Sequence, residues 1–382
     1  MDKIRRIDLV SADAPVEPII GGKHAHIKIL ENRLGQIGIS INRIYYHNTF
    51  LERVISRLIR AFFNYTKYGK HIINNQIKFF SKQICSGEIT HCHDVTSTFV
   101  DSNNIILTVH GYLANEFFDY ARLDKSKYKD LYNWLTEIEQ RGYTKAKKII
   151  AVDTRIANYI IEKFKVPKEK VVVMYNFIDE NLFKPVNYQE KEALRKKYKI
   201  PKDAFVVLVP RRFVPKNGVI YAAEAFAKIK DNSFFFIFAG RGALKKEILK
   251  IMRENDNYAI IENVGYGKVQ ELYQLSDVIL VPSITSTDVE EATSLSALEG
   301  MACEKIVVAT NVGGLKEIVK HLDTGVVISQ KSSKDIIDAI IYCKENYETL
   351  FHVRSNARKY VLKNHSSEVY VAKLLEVYSS VI

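Results

Sequence analysis

The feature that most constrains this chain is a regular alternation of short apolar runs with segments of helical periodicity, repeated along both halves. Such alternation is typical of parallel sheets whose strands are connected by helices. The apolar runs predict strands at Arg6–Val10, Asn42–Tyr46, Ile105–Val109, Lys148–Val152 and Val171–Tyr175, and again at Phe205–Val209, Phe234–Ala239, Val278–Val281, Ile306–Ala309 and Val326–Ile328. We therefore expect an α/β fold made of doubly wound sheets.

A break in this pattern divides the chain into two domains. The segment 179–192 contains Pro185 and little periodicity, and a length of 382 residues suits two domains of ordinary size. We expect a Rossmann-like domain over residues 1–182, a second over 183–364, and a final helix over 365–382 that packs back on the first domain. Two such domains facing each other form a cleft, in which ligands bind at the carboxyl ends of the strands.

The positive charge of the chain raises the question of nucleic acid. The 56 Lys+Arg exceed the 44 Asp+Glu, which gives a formal net charge of +12. Much of this excess lies in the segment 51–82, where basic residues follow Glu52 without an acid and alternate with apolar residues at helical spacing. This pattern suits either a helix on an anionic membrane surface or a solvated helix with one face on the core. No nucleic-acid-binding motif accompanies it, so nucleic acid is not an expected partner.

The apolar runs, the first residues and the cysteines indicate the cellular compartment in which we expect the protein. No apolar run reaches the ~18–20 residues that span a bilayer, and the first residues are polar and charged rather than typical of a signal peptide. The four cysteines include no CxxC pair. We expect a cytoplasmic protein of enzyme size. If the membrane interpretation of the segment 51–82 is right, it lies peripherally on the inner face of the membrane.

The most informative segment is 282–314, which contains two glutamates eight residues apart. Glu291 comes just before a predicted helix and Glu299 lies inside it. At ~1.5 Å per residue their carboxylates would be ~10–12 Å apart along the axis. That exceeds the ~5–5.5 Å of a retaining glycosidase pair and suits a long ligand held at both ends. Taken alone, the pair also fits a helix-start charge and a solvated surface residue.

Cations and backbone amides near these glutamates suit a phosphate group. The amides of Thr293, Ser294 and Leu295 lie at the helix start, where unpaired N–H groups favour an anion. The segment VPRRFVPKNG (209–218) follows the first strand of the second domain. Its Arg211, Arg212 and Lys216 would point into the cleft and could hold a diphosphate.

The first half carries weaker signals for the same cleft. Gly21 and Gly22 follow the first strand, where paired glycines permit close approach of a phosphate or sugar, or simply form a turn. His110 precedes a glycine at the end of a buried strand and would face the cleft. His91 and His93 would share a face if extended, but they lack an evident third ligand. The sequence therefore predicts no metal site.

Together these segments resemble glycosyltransferase family 4, the retaining GT-B enzymes that use nucleotide-sugar donors. EATSLSALEGMA (291–302) resembles the E-x7-E signature of the family, and VPRRFVPKNG its donor-phosphate loop. Five further segments follow one another along the chain in the order expected for the family: GGKHAHIKIL, HCHDVTS, LTVHGY, FFIFAGRG and VVATNVGG. The resemblance covers nearly the whole chain. It implies a GT-B fold, with two Rossmann-like domains facing across a cleft, and a hexosyltransferase activity of the EC 2.4 type.

The family match also implies roles for individual residues. Glu299 would contact the ribose, and Glu291 and His110 would contact the transferred sugar. The base would lie against Val264, Gly265 and Tyr266. The diphosphate would be held by Arg212, Lys216, Gly21, Gly22 and the amides of Thr293, Ser294 and Leu295. The implied mechanism is a front-face displacement that needs no metal or other cofactor. The leaving phosphate deprotonates the acceptor hydroxyl. The acceptor would be a glycan, a glycolipid or a polysaccharide precursor.

Three positions depart from the family pattern and put local loop shape in question. Lys216 follows Arg212 by four residues where many members have five, and Phe177 and Glu304 stand where glycine is common. The alternative function is a catalytically silent GT-B scaffold or regulator in a glycan pathway. The complete set of implied site residues argues against silence, because an inactive protein need not keep them.

Overall fold

The computed structural model describes residues 4–13, 22–47, 65–121, 123–265, 267–285 and 293–382. Its strands are β1 (Arg6–Ser11), β2 (Ser40–Tyr45), β3 (Ile89–Cys92), β4 (Ile105–Val109), β5 (Lys148–Ala151), β6 (Val171–Val173), β7 (Phe205–Val209), β8 (Phe234–Ala239), β9 (Tyr258–Ile261), β10 (Val278–Val281), β11 (Ile306–Thr310) and β12 (Val326–Ile328). Its helices are α1 (Gly22–Gln36), α2 (Tyr65–Phe80), α3 (Leu113–Ala121), α4 (Lys129–Lys145), α5 (Thr154–Phe164), α6 (Tyr188–Lys197), α7 (Val219–Lys228), α8 (Lys245–Ile251), α9 (Val269–Leu275), α10 (Leu295–Ala302), α11 (Leu315–Ile318), α12 (Ser333–Glu345), α13 (Phe351–His365) and α14 (Ser367–Ser379). Gly21, Tyr266, Glu291 and the part 51–64 of the basic segment lie outside the described residues.

The strands form two parallel six-stranded sheets, which confirms the predicted pair of doubly wound folds. The first sheet has the order β2-β1-β3-β4-β5-β6 and the second the order β12-β11-β10-β7-β8-β9. Their inner strands are buried on both faces, as in IILTV of β4 and VILV of β10. Strands covered by helices on both sides must be apolar throughout, which explains why the runs were visible in the sequence.

Two strands were not predicted. Strand β3 reads ITHC and carries a threonine and a histidine although all four of its residues are buried. Such polar residues break the apolar run by which most of the other buried strands were recognised. Strand β9 is a partly buried edge strand, but the edge strands β2, β6 and β12 were predicted, so its position at the edge does not explain why it was missed.

Each sheet reverses its strand order at one point, and these two points position the site. The order reverses between β1 and β3 in the first sheet and between β7 and β10 in the second. The loops that leave the two strands at such a point diverge to opposite faces of the sheet and leave a crevice that can take a ligand. The segments after β1, β3 and β7, together with the start of α10, supply much of the site described below.

The end of the chain returns to the first domain. Helix α13 packs its Ala357 and Val361 into the second domain, whereas Tyr370, Leu374 and Tyr378 of α14 are buried in the core around β1 and α1. The chain passes between the domains near Ile178 and returns near His365. These two segments lie side by side, because the backbone amide of Ile178 donates to the carbonyl of His365 at 2.9 Å. Among the helices of the described ranges, none is both long enough and apolar enough to span a bilayer.

Candidate active site

A cavity of about 940 Å³ lies between the two domains at the carboxyl ends of their strands. The predicted site residues that line it are Gly22, His110, Arg212, Lys216, Val264, Thr293, Leu295 and Glu299. Ser294 is buried beside the cavity at the start of α10, and Gly265 lies in the turn that leads to α9. The fold therefore brings residues from distant parts of both domains around one cleft.

The loop after β7 presents cations to this cleft. Gly218 ends a short 3-10 turn at Pro215–Asn217 with φ of 66°, and a Cβ there would lie 1.7 Å from the carbonyl oxygen of Pro282. Only glycine fits at that position. The side-chain Nδ2 of Asn217 donates to the carbonyl of Arg212 at 2.9 Å and holds the loop closed. Arg212 is exposed and Lys216 half-buried at the cleft wall.

Arg211, which the sequence placed with Arg212 and Lys216 as a cation of this loop, is buried and supports the loop from inside. Its guanidinium donates to Asn217 Oδ1 and to Ser283 Oγ, each at 2.9 Å. It also lies 3.4 Å from Ser294 Oγ at the start of α10. The two cation-bearing segments of the second domain are thus joined by one buried arginine.

The start of α10 is held between the two domains. Thr293 Oγ1 donates to the carbonyl of Val152, at the end of β5, at 2.7 Å, and Asn176 Nδ2 donates to the Thr293 carbonyl at 3.0 Å. Across the cleft, a Cβ on Gly22 would lie 3.2 Å from Leu295 Cδ1. The small residue at position 22 lets α1 approach α10, and these contacts fix the width of the cleft at this point.

Glu299 faces the cleft one turn inside α10. Tyr273 donates its hydroxyl to Glu299 Oε2 at 2.5 Å. The surrounding protein raises the pKa of Glu299 to about 7, because burial outweighs the Tyr273 hydrogen bond and the positive charge of Arg211. A carboxyl with this pKa changes its charge near neutral pH, where it can accept hydrogen bonds from a diol once ionised.

His110 belongs to a cluster of imidazoles on the first-domain side. Its Nε2 lies 3.2 Å from His93 Nδ1, and the ring of His26 lies 4.8 Å from its own. Burial lowers the pKa of His110 well below the ordinary range for histidine. The ring is therefore neutral at pH 7 and can donate or accept a hydrogen bond without adding charge.

His91 supports the cluster from the core of the first domain. Its Nδ1 pairs with the hydroxyl of Tyr378 and its Nε2 with Thr108 Oγ1, each at 2.7 Å. These partners explain how a histidine can occupy the buried strand β3. They also tie the strand that leads to His93 to helix α14 from the end of the chain.

Sequence reasoning missed two charged residues of the cleft, Lys23 and Glu116. Lys23 pairs with Asp13 at 2.5 Å and lies 3.7 Å from Asp94. Glu116, in the first turn of α3, packs so close to Gly111 that a Cβ there would lie 2.4 Å from its Oε1. Burial raises the pKa of Glu116, against the attraction of Lys216, Arg212 and Lys23. No motif indicated either residue, since their partners come from other segments.

The described part of the basic segment is helix α2. Its Ile73 and Phe80 are buried, while Lys67, Lys70 and Lys78 are exposed along the opposite side. This burial pattern agrees with both sequence interpretations, because the exposed lysines would face either solvent or an anionic membrane surface.

Two family models match the chain in consecutive regions. Residues 85–182 match the model described as Glycosyltransferase Family 4, and residues 190–360 match Glycosyl transferases group 1. An uncharacterized glycosyltransferase of Methanocaldococcus jannaschii is 28% identical over 386 residues, which cover 94% of this chain and 95% of the relative. N-acetyl-alpha-D-glucosaminyl L-malate synthase of Bacillus anthracis is 27% identical over 253 residues, which cover 65% of this chain and 63% of the relative.

Solved structures share the arrangement of both domains. HepE of Anabaena, in complex with UDP and glucose, matches with a TM-score of 0.72 and 16% identity, covering 98% of this chain and 100% of that chain. Sucrose-phosphate synthase of Thermosynechococcus elongatus matches with a TM-score of 0.73 and 16% identity, covering 98% of each chain. These likenesses establish the fold as two Rossmann-like domains that face each other.

Proposed function

The chain is a GT-B glycosyltransferase of the family 4 type, and from that premise we propose that it transfers a sugar from a nucleoside-diphosphate sugar to a hydroxyl acceptor with retention of anomeric configuration. The observation that supports this most is the convergence of Arg212, Lys216 and Glu299 with His110 around one interdomain cleft. Cations, a carboxyl and a neutral imidazole are the groups that a diphosphate, a ribose and a hexose require, respectively. The structure of HepE was solved in complex with UDP and glucose, which agrees with a nucleoside-diphosphate sugar as the donor.

The donor lies, in this proposal, along the wall of the second domain. Ionised Glu299 accepts hydrogen bonds from the ribose hydroxyls, and Tyr273 orients its carboxylate from behind. Arg212, Lys216 and the start of α10 hold the diphosphate, with Gly22 on its other side. The base lies against the backbone near Val264 and Gly265, and Glu291 and His110 contact the transferred sugar.

The transfer step uses this electrostatic arrangement. The bond between the anomeric carbon and the phosphate oxygen breaks, the bond to the acceptor oxygen forms on the same face, and the acceptor proton passes to the leaving phosphate. Negative charge grows on the diphosphate as its bond breaks, so the nearby cations stabilise the transition state more than the bound donor. These side chains supply the positive charge, and we expect no metal requirement for transfer.

A thermal-shift screen tests this proposal. The purified protein is heated with UDP, GDP, ADP, dTDP or CMP, each with and without EDTA. A ligand at ~100 times its dissociation constant adds ~2.7 kcal/mol to the free energy of unfolding, which raises the midpoint visibly. We expect one diphosphate to stand out with no effect of EDTA on its shift. If none shifts the midpoint, the silent scaffold replaces the transferase.

The stereochemistry is tested with the matching donor. Proton NMR of the first glycosidic product, or of slow donor hydrolysis, reports whether the anomeric configuration is kept. A product of inverted configuration would contradict the front-face step while leaving the donor assignment intact.

We propose that the acceptor is a glycan or a lipid-linked glycan that is presented at an anionic membrane surface. The exposed lysines of α2 support this, since each basic residue near an anionic surface contributes ~1 kcal/mol of attraction. The double variant Lys67→Glu with Lys78→Glu should bind less to vesicles that contain phosphatidylglycerol. Lys246→Glu with Lys250→Glu, a pair of exposed sites on the second domain, is the matched control. Equal binding of both variants would remove the membrane from the proposal.

A further inference from the structure

Four histidines meet in the first domain, and the proposed transfer uses only one of them. His26 comes from α1, His91 and His93 from β3 and the residue after it, and His110 from the residue after β4. His91 has a partner on each ring nitrogen. Both ring nitrogens of buried His26, and Nε2 of buried His93, have no hydrogen-bond partner. A buried polar atom without a partner costs ~1–3 kcal/mol, and a metal ion bound by His26 would give one of its two nitrogens a partner.

The three histidines other than His91 have the spacing of metal ligands. His26, His93 and His110 each offer one nitrogen, and these nitrogens lie within 4.8 Å of one another. A zinc ion with bonds of ~2.0–2.1 Å needs its nitrogen ligands ~3.3 Å apart. His93 Nδ1 and His110 Nε2 are 3.2 Å apart and share a hydrogen bond, which two bonds to a metal would replace. A shift of ~1.5 Å at most, which side-chain rotation supplies, brings in the third ligand.

Charged groups also lie near the cluster. Lys23 pairs with Asp13 at 2.5 Å and lies 3.7 Å from Asp94, so two carboxylates offset its positive charge beside a bound cation. Imidazole nitrogens are common ligands of Zn²⁺.

We propose that His26, His93 and His110 bind one Zn²⁺ or a similar borderline divalent cation at the edge of the interdomain cleft. Three imidazole nitrogens occupy three tetrahedral positions, and the fourth points toward the cleft, which His93 and His110 both line. The proposal departs from the sequence expectation of no metal, which considered only the pair His91 and His93. The metal is not part of the transfer reaction. Because both use His110, a bound metal and the transferred sugar exclude each other, and the nucleotide experiments are therefore done in EDTA.

The test uses the full-length protein, freed of metal with EDTA and then dialysed. Titration with Co²⁺ should give the visible absorption of a tetrahedral site at one equivalent, and Zn²⁺ should displace it. Zn²⁺ should also raise the unfolding midpoint. In His26→Phe the visible band should vanish and the Zn²⁺ affinity should fall at least ~100-fold, because one of three ligands is lost.

His26→Phe is chosen because it should fold. The ring of His26 packs at 4.6 Å from Phe177 and 5.3 Å from Tyr370, so a phenyl ring suits this site and removes two nitrogens that have no partner. Without metal its midpoint should equal or exceed that of the wild type. His24→Ala, two residues away on α1 and also at the cleft, is the matched control and should keep the Co²⁺ band.

Two results would overturn the proposal. One is the absence of a stoichiometric Co²⁺ band in the wild type, and the other is equal metal affinity in His26→Phe and the wild type, which would put the ion elsewhere. Because the readouts are absorption and midpoint, neither result bears on the transfer activity. Likewise, failure of every nucleotide to bind would leave the metal site unaffected.

Discussion

The two walls of the cleft are built in different ways. In the second domain, Arg211, Arg212 and Lys216 lie within one short loop and Glu299 lies one turn inside a single helix. In the first domain, Gly22, His93 and His110 come from three separate segments that meet only in the folded chain, and Glu116 follows His110 in helix α3. The second wall carries Arg212, Lys216 and one carboxyl with a pKa of about 7, whereas the first carries neutral imidazoles beside the charged Lys23 and Glu116. In the proposed function, the second wall binds the nucleotide and the first shapes the reaction of the sugar.

The sharpest test of this division is removal of the cations. Arg212→Ala with Lys216→Ala should lower kcat by at least ~100-fold, because loss of a single donor to developing negative charge costs ~10²–10³-fold. Donor turnover at saturating concentration is the measurement. Arg253→Ala, an exposed residue of the same domain paired with Glu254, should leave it unchanged. A similar loss in both proteins would mean that the loop is not the diphosphate site.

On the opposite wall, His110→Asn should lower kcat ~10–100-fold while the nucleotide dissociation constant stays the same, as expected for the loss of a hydrogen bond made to the sugar. Calorimetry with the diphosphate and steady-state kinetics, both in EDTA, separate the two quantities. The exposed His352→Asn serves as control. A weaker nucleotide affinity in His110→Asn would extend nucleotide binding to the first wall.

The two glutamates should divide binding from turnover. Glu299→Ala should raise the nucleotide dissociation constant ~10–50-fold, the effect of losing hydrogen bonds to a charged group. Glu291→Ala should mainly lower kcat, because its assigned contact is with the sugar. Isothermal calorimetry on both variants compares them directly. Equal loss of nucleotide affinity would contradict the assigned roles.

The pKa of Glu299 predicts a pH dependence of binding. With a pKa of about 7, raised above its ordinary value, the carboxyl is ~10% ionised at pH 6 and ~90% at pH 8. If the ionised form binds the ribose, affinity rises ~tenfold over this range. Glu299→Gln has no carboxyl that titrates in this range. Titration of the nucleotide's phosphate affects both proteins equally, so it cancels in the ratio of the wild-type affinity to the variant affinity. A ratio that stays flat between pH 6 and pH 8 would contradict ionised Glu299 as the ribose ligand.

The smallest expected effect concerns Glu116, the carboxyl that faces the cations across the cleft. Glu116→Gln removes negative charge near Arg212 and Lys216, so the diphosphate should bind ~threefold more tightly at low salt. Asp119→Asn, on the same helix but outside the cleft wall, is the matched control. Weaker binding in Glu116→Gln would mean that this side chain contacts the ligand instead of opposing it.

Much of the fold was visible in the sequence because burial on both faces leaves an unbroken apolar run. Strands such as β7 and β8 read FVVLV and FFFIFA, and these were predicted at their observed bounds. Strand β3 was missed because His91 is tolerated there only through Tyr378 and Thr108, partners that lie far along the chain. Strand β9 was also missed, although the other edge strands β2, β6 and β12 were predicted, so partial burial alone does not hide a strand from the sequence.

The sequence by itself determined the two doubly wound domains and indicated cleft residues in both, Arg212, Lys216 and Glu299 in the second and Gly22 and His110 in the first, since periodicity and contiguous motifs are local properties of a chain. Only the tertiary structure decided which side chains surround Gly22 and His110 in the first wall. It brought His26 close to His93 and His110, placed Glu116 opposite the cations of the other domain, and joined Thr293 to Val152 by a hydrogen bond. The physical reason is that hydrogen bonds and charges act over a few ångströms in space, whatever the distance along the chain, and the sheet order alone determines which strand ends become neighbours.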